Sequence, residues 1–284
     1  MSRTLTELPA ILDLEQLDLR LFRGKSLNTS SPRVFGGQLI GQAMVAACRT
    51  VKDRVPHSLH GYFLKAGDPQ VPIIYRVEAL RDGKSYSSRR VTAIQCCDAI
   101  SSIITSFHAE EQGAFDHQDS MPDVPPPIIL TSEETDNQRM CVEGPEFIRR
   151  YYGIEFLMVE TGRYFGHKFE DGRIHVWIKT AMELPDDPML HTCALAYASD
   201  YSLLDAVTAR YGCKPFDKRM IPASIDHAMW FHRAFRADNW LLYTHDSPSA
   251  QRGRGIARGL IFKPDGTLVA SVAQEGSIRE RADK

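Results

Sequence analysis

Residues 35–51 read FGGQLIGQAMVAACRTV. The fold of the chain depends on the sheet that packs against this segment. Its apolar and small side chains recur at helical spacing, at Leu39, Ile40, Ala43, Met44, Ala47 and Cys48. Such spacing predicts a helix with one buried stripe. Because several side chains of the stripe are small, a sheet can approach this helix closely.

Strand-like sequence follows the predicted helix. Four runs occupy residues 57–64, 72–80, 85–95 and 99–108. Arg-Asp-Gly-Lys at 81–84 predicts a hairpin turn, because Asp-Gly favours the positive φ that such turns need. A weaker turn is expected at 97–98. Cys96 and Cys97 fall in a strand-like run, so we expect their side chains to point to opposite faces. The first half therefore predicts a long helix against a curved antiparallel sheet.

The second half repeats this order. Two strand-like segments, at residues 154–163 and 173–182, precede a predicted helix over 188–208 that starts just after two aspartates. Four more strands are expected at residues 223–232, 240–246, 254–262 and 267–278. Lys-Pro-Asp-Gly at 263–266 predicts the last turn. The repeated order predicts an α+β fold, a tandem (double) hotdog in which each unit is a long helix wrapped by a curved antiparallel sheet.

The stretch between the two halves differs in composition. It is acidic and carries three consecutive prolines at 125–127. Such a sequence buries little apolar surface, so it predicts a linker that wraps over the outside. We therefore expect an N-terminal hotdog at residues 1–110, the linker at 111–146 and a C-terminal hotdog at 147–284.

Charge and cysteine content limit the classes of function. The 34 basic and 36 acidic residues give a net charge of −2, which argues against a nucleic-acid-binding surface. The six cysteines show no metal-ligand spacing, so we expect neither a metal nor a cofactor. No apolar run of about 18 residues is present, so no membrane span is expected. The polar, charged N-terminal sequence lacks a secretory signal, and a reduced intracellular protein is expected.

The familiar hydrolase motifs are absent. There is no GxSxG nucleophile elbow and no HExxH zinc motif. Hydrolysis would then need a positioned water, a carboxylate base and donors for the developing oxyanion. Asp200, Ser224 and Gln274 are the candidates, since Asp200 interrupts an apolar helical run and Gln274 an apolar strand. The pattern alone leaves a solvent-facing position open for all three. His227 and His232 lie on opposite strand faces, which argues against a shared metal site and favours packing or hydrogen bonding.

Longer strings carry a resemblance to a known family. They are FGGQLIGQA at 35–43, HSLHGYFLKAGDP at 57–69, YASDY at 197–201, SIDHAMWFHRAFRADNWLLY at 224–243 and DGTLVASVAQEG at 265–276. Over nearly its whole length the chain resembles the acyl-CoA thioesterase II family, including its peroxisomal animal members. The resemblance implies a double hotdog that hydrolyses fatty acyl-CoA to free fatty acid and CoA. It also implies that Asp200 is the general base, and that Ser224 and Gln274 orient the attacking water and the carbonyl.

Other expectations remain open. A non-catalytic acyl-CoA sensor would use the same tunnel, and an enoyl-CoA hydratase on this fold would need an Asp/His pair such as Asp226 and His227. The CoA phosphates are expected to meet one or more of Lys65, Arg89, Arg90, Arg252 and Arg254. A homo-oligomer, dimer or tetramer, is expected. The chain ends Arg-Ala-Asp-Lys, not a Ser-Lys-Leu-type peroxisomal address, so the cytoplasm and the peroxisomal matrix both remain open.

Overall fold

The structure is a computed structural model that describes residues 7–26, 31–130, 150–151, 153–215, 217 and 219–280. Its helices are α1 (Glu7–Leu12), α2 (Gly36–Cys48), α3 (Pro127–Leu130), α4 (Pro188–Ala198) and α5 (Asp205–Ala209), with a 3₁₀ turn at Thr161–Phe165. None of the helices in these ranges has the length and hydrophobicity that crossing a bilayer requires.

The strands of the described residues form one antiparallel sheet. In the first half they are β1 (Glu15–Asp18), β2 (Leu21–Gly24), β3 (Val55–Phe63), β4 (Ile73–Asp82), β5 (Tyr86–Gln95) and β6 (Asp98–His108). In the second half they are β7 (Arg150–Tyr151), β8 (Ile154–Met158), β9 (Ile174–Thr180), β10 (Met220–Ser224), β11 (Asp226–Phe231), β12 (Leu241–Gln251), β13 (Arg254–Phe262) and β14 (Leu268–Glu280).

The strand order confirms the predicted duplication. It runs β1-β2-β4-β5-β6-β3-β11-β14-β13-β12-β9-β8-β7, with β10 paired to β14. Followed from the two ends of the sheet toward its middle, the order β2-β4-β5-β6-β3 in the first half corresponds strand for strand to β9-β12-β13-β14-β11 in the second half. The halves join where β3 pairs with β11, for example Tyr62 opposite Asp226. The fold is the double hotdog that the sequence predicts.

Helix α2 is more deeply buried than its sequence pattern predicts. Every residue from Gly37 to Cys48 is buried, not one stripe alone. The reason is that the sheet covers one side of the helix while α4 packs against another. The two helices approach so closely that a Cβ placed on Gly41 would lie 2.8 Å from the Cβ of Tyr197. The small residues of the segment therefore serve helix–helix packing between the two halves.

The predicted helix over 188–208 is wrong in its extent. It is two helices, because α4 ends at Ala198 and α5 begins at Asp205. At the break, the Ser199 hydroxyl lies 2.9 Å from the carbonyl oxygen of Ala196. Ser202 then takes a left-handed conformation with φ of 62°, which an α-helix cannot continue through. Asp200 therefore lies in a turn after α4 and not in the middle of a helix.

Two predicted strands also differ from the structure. The strand expected over 154–163 ends at Met158, and the 3₁₀ turn that follows buries Arg163 completely. The strand expected over 223–232 is divided at Ile225 into β10 and β11. There the Ile225 N–H bonds to Glu275 while its carbonyl accepts from Phe63, so the chain passes from pairing with β14 alone to pairing with β3 as well.

Turns were predicted at 81–84, 97–98 and 263–266, and the structure has a turn at or next to each of these positions. The hairpin at 81–84 forms, with the Gly83 N–H donating to the carbonyl of Tyr86 at 2.8 Å, although φ of Gly83 is not positive. Cys96 and Cys97 are the two turn residues between β5 and β6, with φ of 48° and 69°. The strand assignment for this pair was wrong, because the turn lies one residue earlier than expected. The turn at 263–266 forms as predicted, with Gly266 at φ of 87°.

The described part of the predicted linker covers the outer face of the second-half sheet. Gln118 donates to the Gly266 carbonyl and accepts from the Leu268 N–H. Trp177 Nε1 donates to the carbonyl of Pro125 at 3.0 Å. Met121 and Val124 pack on an apolar cluster of Leu157, Trp177, Leu242, Phe262 and Leu268. The domain limits of 1–110, 111–146 and 147–284 stay a prediction, and residues 131–149 lie outside the described residues.

Candidate active site

The three sequence candidates meet at one point. Asp200 follows α4, Ser224 ends β10 and Gln274 lies in the middle of β14. The Gln274 Nε2 group donates to Asp200 Oδ1 at 2.8 Å and to Ser224 Oγ at 2.5 Å. The Ser224 hydroxyl donates to Asp200 Oδ1 at 3.2 Å. The structure thus makes a connected trio from residues that are 24 and 74 positions from Asp200 in the sequence.

The other carboxylate oxygen of Asp200 faces the start of α2. A Cβ placed on Gly36 would lie 2.6 Å from Asp200 Oδ2 and 3.1 Å from the ring of Phe63. Only glycine leaves room for the carboxylate at this distance. The N–H groups of a first helical turn have no partner within the helix, and the helix dipole places partial positive charge there. The base candidate of the second half therefore sits against a helix N-terminus of the first half.

Gln274 is 1% exposed, so its amide is part of the interior. Its Oε1 lies 3.1 Å from Nδ1 of His227, and Nε2 of His227 lies 2.9 Å from the Ser199 hydroxyl. Burial lowers the pKa of His227. The Tyr243 hydroxyl donates to the Ser199 carbonyl at 2.9 Å. Burial, reinforced by the charge of Asp200, raises the pKa of Tyr243 well above its ordinary value, so Tyr243 remains a donor.

Sequence reasoning missed most of this support. His227 was expected to pack or to form a hydrogen bond, and the second expectation is correct, but its partner Gln274 was not foreseen. Ser199 and Gly36 were not singled out at all. The string SIDH held the available signal for His227, because the alternation that buries Met229 also buries His227.

A cavity of about 820 Å³ lies beside the trio and is lined by both halves of the chain. Its apolar wall includes Val34, Phe35, Leu39, Phe63, Leu64 and Leu204, and its basic residues are Arg33, Lys65 and Lys214. Asp200 and Ser224 line it too. An apolar cavity with a few polar groups and a basic region is suited to an amphipathic ligand with an anionic end.

The basic residues expected to contact phosphates differ in whether they line the cavity. Lys65 lines the cavity and pairs with Asp98. Arg89 is 4% exposed and its guanidinium bonds to Asp82 at 2.7 Å, so it braces β4 and β5, and the expectation for Arg89 is wrong. Arg90, Arg252 and Arg254 are absent from the cavity lining, and sequence reasoning missed two residues that line it, Arg33 and Lys214.

The pair considered for hydratase chemistry does not act together. Asp226 Oδ1 accepts from the backbone N–H of Glu275 at 2.7 Å. His227, the next residue in the strand, faces Gln274 and Ser199 instead. The two side chains therefore bond to different groups. Among the described residues, no group of three or more His, Cys, Asp or Glu side chains could hold a metal ion.

Comparison with known proteins decides the family. The family model for acyl-CoA thioesterase matches residues 150–277, and the model for the acyl-CoA thioesterase N-terminal domain matches residues 25–108. The chain is 38% identical to acyl-CoA thioesterase 2 of Haemophilus influenzae, over 98% of this chain and 99% of that protein. It belongs to the acyl-CoA thioesterase II family. The enzyme therefore hydrolyses acyl-CoA thioesters.

Other relatives agree. Human acyl-coenzyme A thioesterase 8 is 37% identical to the enzyme, over 95% of this chain and 88% of the human protein. The crystal structure of acyl-CoA thioesterase II TesB2 from Mycobacterium marinum is similar with a TM-score of 0.78 and 39% identity, covering 97% of the enzyme and 98% of that chain. The double hotdog is thus shared with a solved relative along almost the whole chain.

Proposed function

We propose that the enzyme hydrolyses fatty acyl-CoA by direct attack of a water molecule that is held and activated by Asp200, Ser224 and Gln274. The observation that carries the proposal is the connected trio, of which Asp200 and Ser224 line a cavity with an apolar wall. One carboxylate oxygen of Asp200 is held by both partners, which leaves Oδ2 to accept a proton from water. A carboxylate in that position is a competent general base.

The proposed reaction has two steps. Asp200 takes a proton from water while the water oxygen bonds to the thioester carbon, and the carbonyl oxygen becomes an oxyanion. The N–H groups at the start of α2, at Gly36 and Gly37, are the proposed donors to that oxyanion. The carbon–sulfur bond then breaks, and the proton on Asp200 passes to the CoA sulfur. One water and one thioester give one carboxylic acid and one thiol.

The sensor alternative has weaker support. A binding protein gains nothing from a carboxylate that is fixed by two side chains beside an apolar cavity. A carboxylate is costly to desolvate unless it has partners, and both side-chain partners of Asp200 bond to the same oxygen, Oδ1. The same arrangement has an evident use in hydrolysis.

The cavity supports a fatty acyl-CoA as the substrate. Leu39, Phe63 and Leu204 provide apolar surface for an acyl chain. Arg33, Lys65 and Lys214 are the proposed contacts for the CoA phosphates, since they are the basic residues of the cavity lining.

Kinetics with truncated substrates test this substrate assignment. Thiol release is measured with palmitoyl-CoA, shorter acyl-CoAs and palmitoyl-pantetheine, which lacks the phosphates. We expect kcat/KM to rise with chain length, because apolar burial stabilises binding by about 0.8 kcal/mol per CH₂. Arg33→Glu with Lys214→Glu should raise KM for palmitoyl-CoA about tenfold and leave palmitoyl-pantetheine unaffected.

The matched control is Arg90→Glu, which reverses an exposed charge that pairs with Glu78 outside the cavity. It should leave both substrates unchanged. Equal effects of the double reversal on the two substrates would contradict the phosphate assignment. Turnover that does not depend on chain length would contradict the fatty acyl class.

We also infer a homo-oligomer, a dimer or tetramer. Tyr62, Ile104 and Trp230 are exposed on the outer sheet face near the β3–β11 junction. Exposed aromatic and apolar side chains on one face favour association. For the compartment we infer the cytoplasm or the peroxisomal matrix, which fits the free thiols of all five described cysteines.

A further inference from the structure

The amide of Gln274 must be held in one of two orientations. A primary amide carries donors at one end and an acceptor at the other, and a half-turn exchanges them. With Nε2 toward the site, Gln274 donates to Asp200 Oδ1 and Ser224 Oγ. In the reverse orientation Oε1 would face the Asp200 carboxylate, and the two acceptors would repel each other. Asp200 and Ser224 would each lose the hydrogen bond that Gln274 Nε2 donates.

His227 contacts the other end of this amide. Its Nδ1 lies 3.1 Å from Gln274 Oε1. An amide oxygen only accepts hydrogen bonds, so Nδ1 of His227 must carry the hydrogen. His227 is 2% exposed, which prevents bulk water from taking over this contact. A donor fixed at this end favours the orientation that presents Nε2 to Asp200 and Ser224.

Ser199 contacts the other ring nitrogen of His227. Burial lowers the pKa of His227, so the ring is neutral and has one N–H. With that hydrogen on Nδ1, Nε2 is an acceptor, and the Ser199 hydroxyl 2.9 Å away can donate to it. The same hydroxyl is 2.9 Å from the Ala196 carbonyl, and its single hydrogen can serve only one of the two. The tautomer with the hydrogen on Nδ1 therefore requires that the Ser199 hydroxyl donate to His227 and not to Ala196.

We propose that His227 is a positioning residue, which holds the Gln274 amide with its nitrogen toward Asp200 and Ser224. This role rests on the proposed function of the trio. His227 itself does not touch the substrate or the water, and it acts only through Gln274. In this arrangement Ser199, His227 and Gln274 form a chain of hydrogen bonds from the end of α4 to β14 that ends at the base.

Removal of the donor is the first test. His227→Leu should lower kcat for palmitoyl-CoA about 10- to 100-fold, because a misplacement of about 1 Å can cost about 10² in rate. KM should change less than about threefold, because substrate contacts are intact. His227→Asn places an amide nitrogen at the position of Nδ1 and should recover most of kcat. His232→Leu is the matched control, since His232 also bonds to a serine at 2.9 Å but is exposed, just after the end of β11.

A double-mutant cycle separates positioning from a general loss of structure. If His227 acts through Gln274, His227→Leu should have no further effect on kcat in a Gln274→Ala background. The same fold-loss in both backgrounds, or wild-type kcat in folded His227→Leu, would overturn the proposal. Should His227→Leu not fold, Ser199→Ala replaces it in the same cycle, with a severalfold loss expected only when Gln274 is present. Wild-type kcat in Gln274→Ala alone would instead overturn the proposed function of the trio.

Discussion

Asp200→Asn is expected to lower kcat/KM for palmitoyl-CoA about 10³-fold, within the range for loss of a general base. Asparagine has nearly the same shape and keeps an oxygen that can accept from Gln274 and Ser224, as Asp200 Oδ1 does. It cannot take the proton of the attacking water. Acyl-CoA binding should therefore persist while turnover is lost, as thiol release and equilibrium binding at equal folded concentration would show.

Asp217→Asn is the matched control for this loss. Asp217 also lines the cavity, but its carboxylate pairs with Arg219 at 2.7 Å and is no part of the trio. The Arg219 end of this pair is exposed to solvent, where ion pairs contribute little, so activity should stay within about threefold of the wild type. Equal turnover in Asp200→Asn and wild type would remove Asp200 from the mechanism.

The two adjacent glycines at the start of α2 are expected to respond differently to alanine. At Gly36 the new Cβ would lie 2.6 Å from Asp200 Oδ2 and 3.1 Å from the Phe63 ring, both side chains that can move. The carboxylate would be displaced, and a misplacement of about 1 Å can cost about 10² in rate. We therefore expect Gly36→Ala to fold, with a melting temperature near that of the wild type, and to lose about 10²-fold in kcat.

Gly37→Ala should act on stability instead. Its Cβ would lie 2.2 Å from the backbone carbonyl oxygen of Tyr197 and 2.4 Å from the Phe35 ring. Because a backbone oxygen of α4 cannot rotate away, the two helices must separate, at about 3 kcal/mol or more of unfolding free energy. Thermal melts and kcat of both variants check the contrast. Full activity in Gly36→Ala would contradict the placement of Asp200 against α2.

The fold was predictable because its evidence is spread over long segments. The repeated order of strands, helix and four strands survives errors of a few residues at any boundary. Local features were less secure, since a turn such as that at Cys96 and Cys97 depends on a register shift of one residue. The end of α4 at Ala198 could not be derived, because it depends on the left-handed backbone at Ser202 and on contacts with α2.

The residues of the candidate site could be named from the sequence, but their geometry could not. The alternation that buries Ala270 and Val272 also places Gln274 inside, so its inward direction was present in the sequence. The position of Asp200 against Gly36 was not, because these residues belong to different halves and meet only after the helices pack. The basic residues that line the cavity were the hardest to identify from the sequence. Arg89 and Arg33 look alike in sequence, and only the structure shows that Arg89 is buried while Arg33 lines the cavity.

The most direct test of the central claim is a single turnover of palmitoyl-CoA in ¹⁸O-labelled water with enzyme in excess, followed by mass spectrometry of the fatty acid and of the peptide that contains Asp200. If a water molecule activated by Asp200 attacks the thioester carbon directly, the palmitate carries one ¹⁸O atom and the peptide carries none. Label in the peptide together with unlabelled palmitate would contradict the account. It would show that the carboxylate of Asp200 attacks the thioester, that the carbon–sulfur bond breaks to leave a mixed anhydride, and that water opens this anhydride at the Asp200 carboxyl carbon.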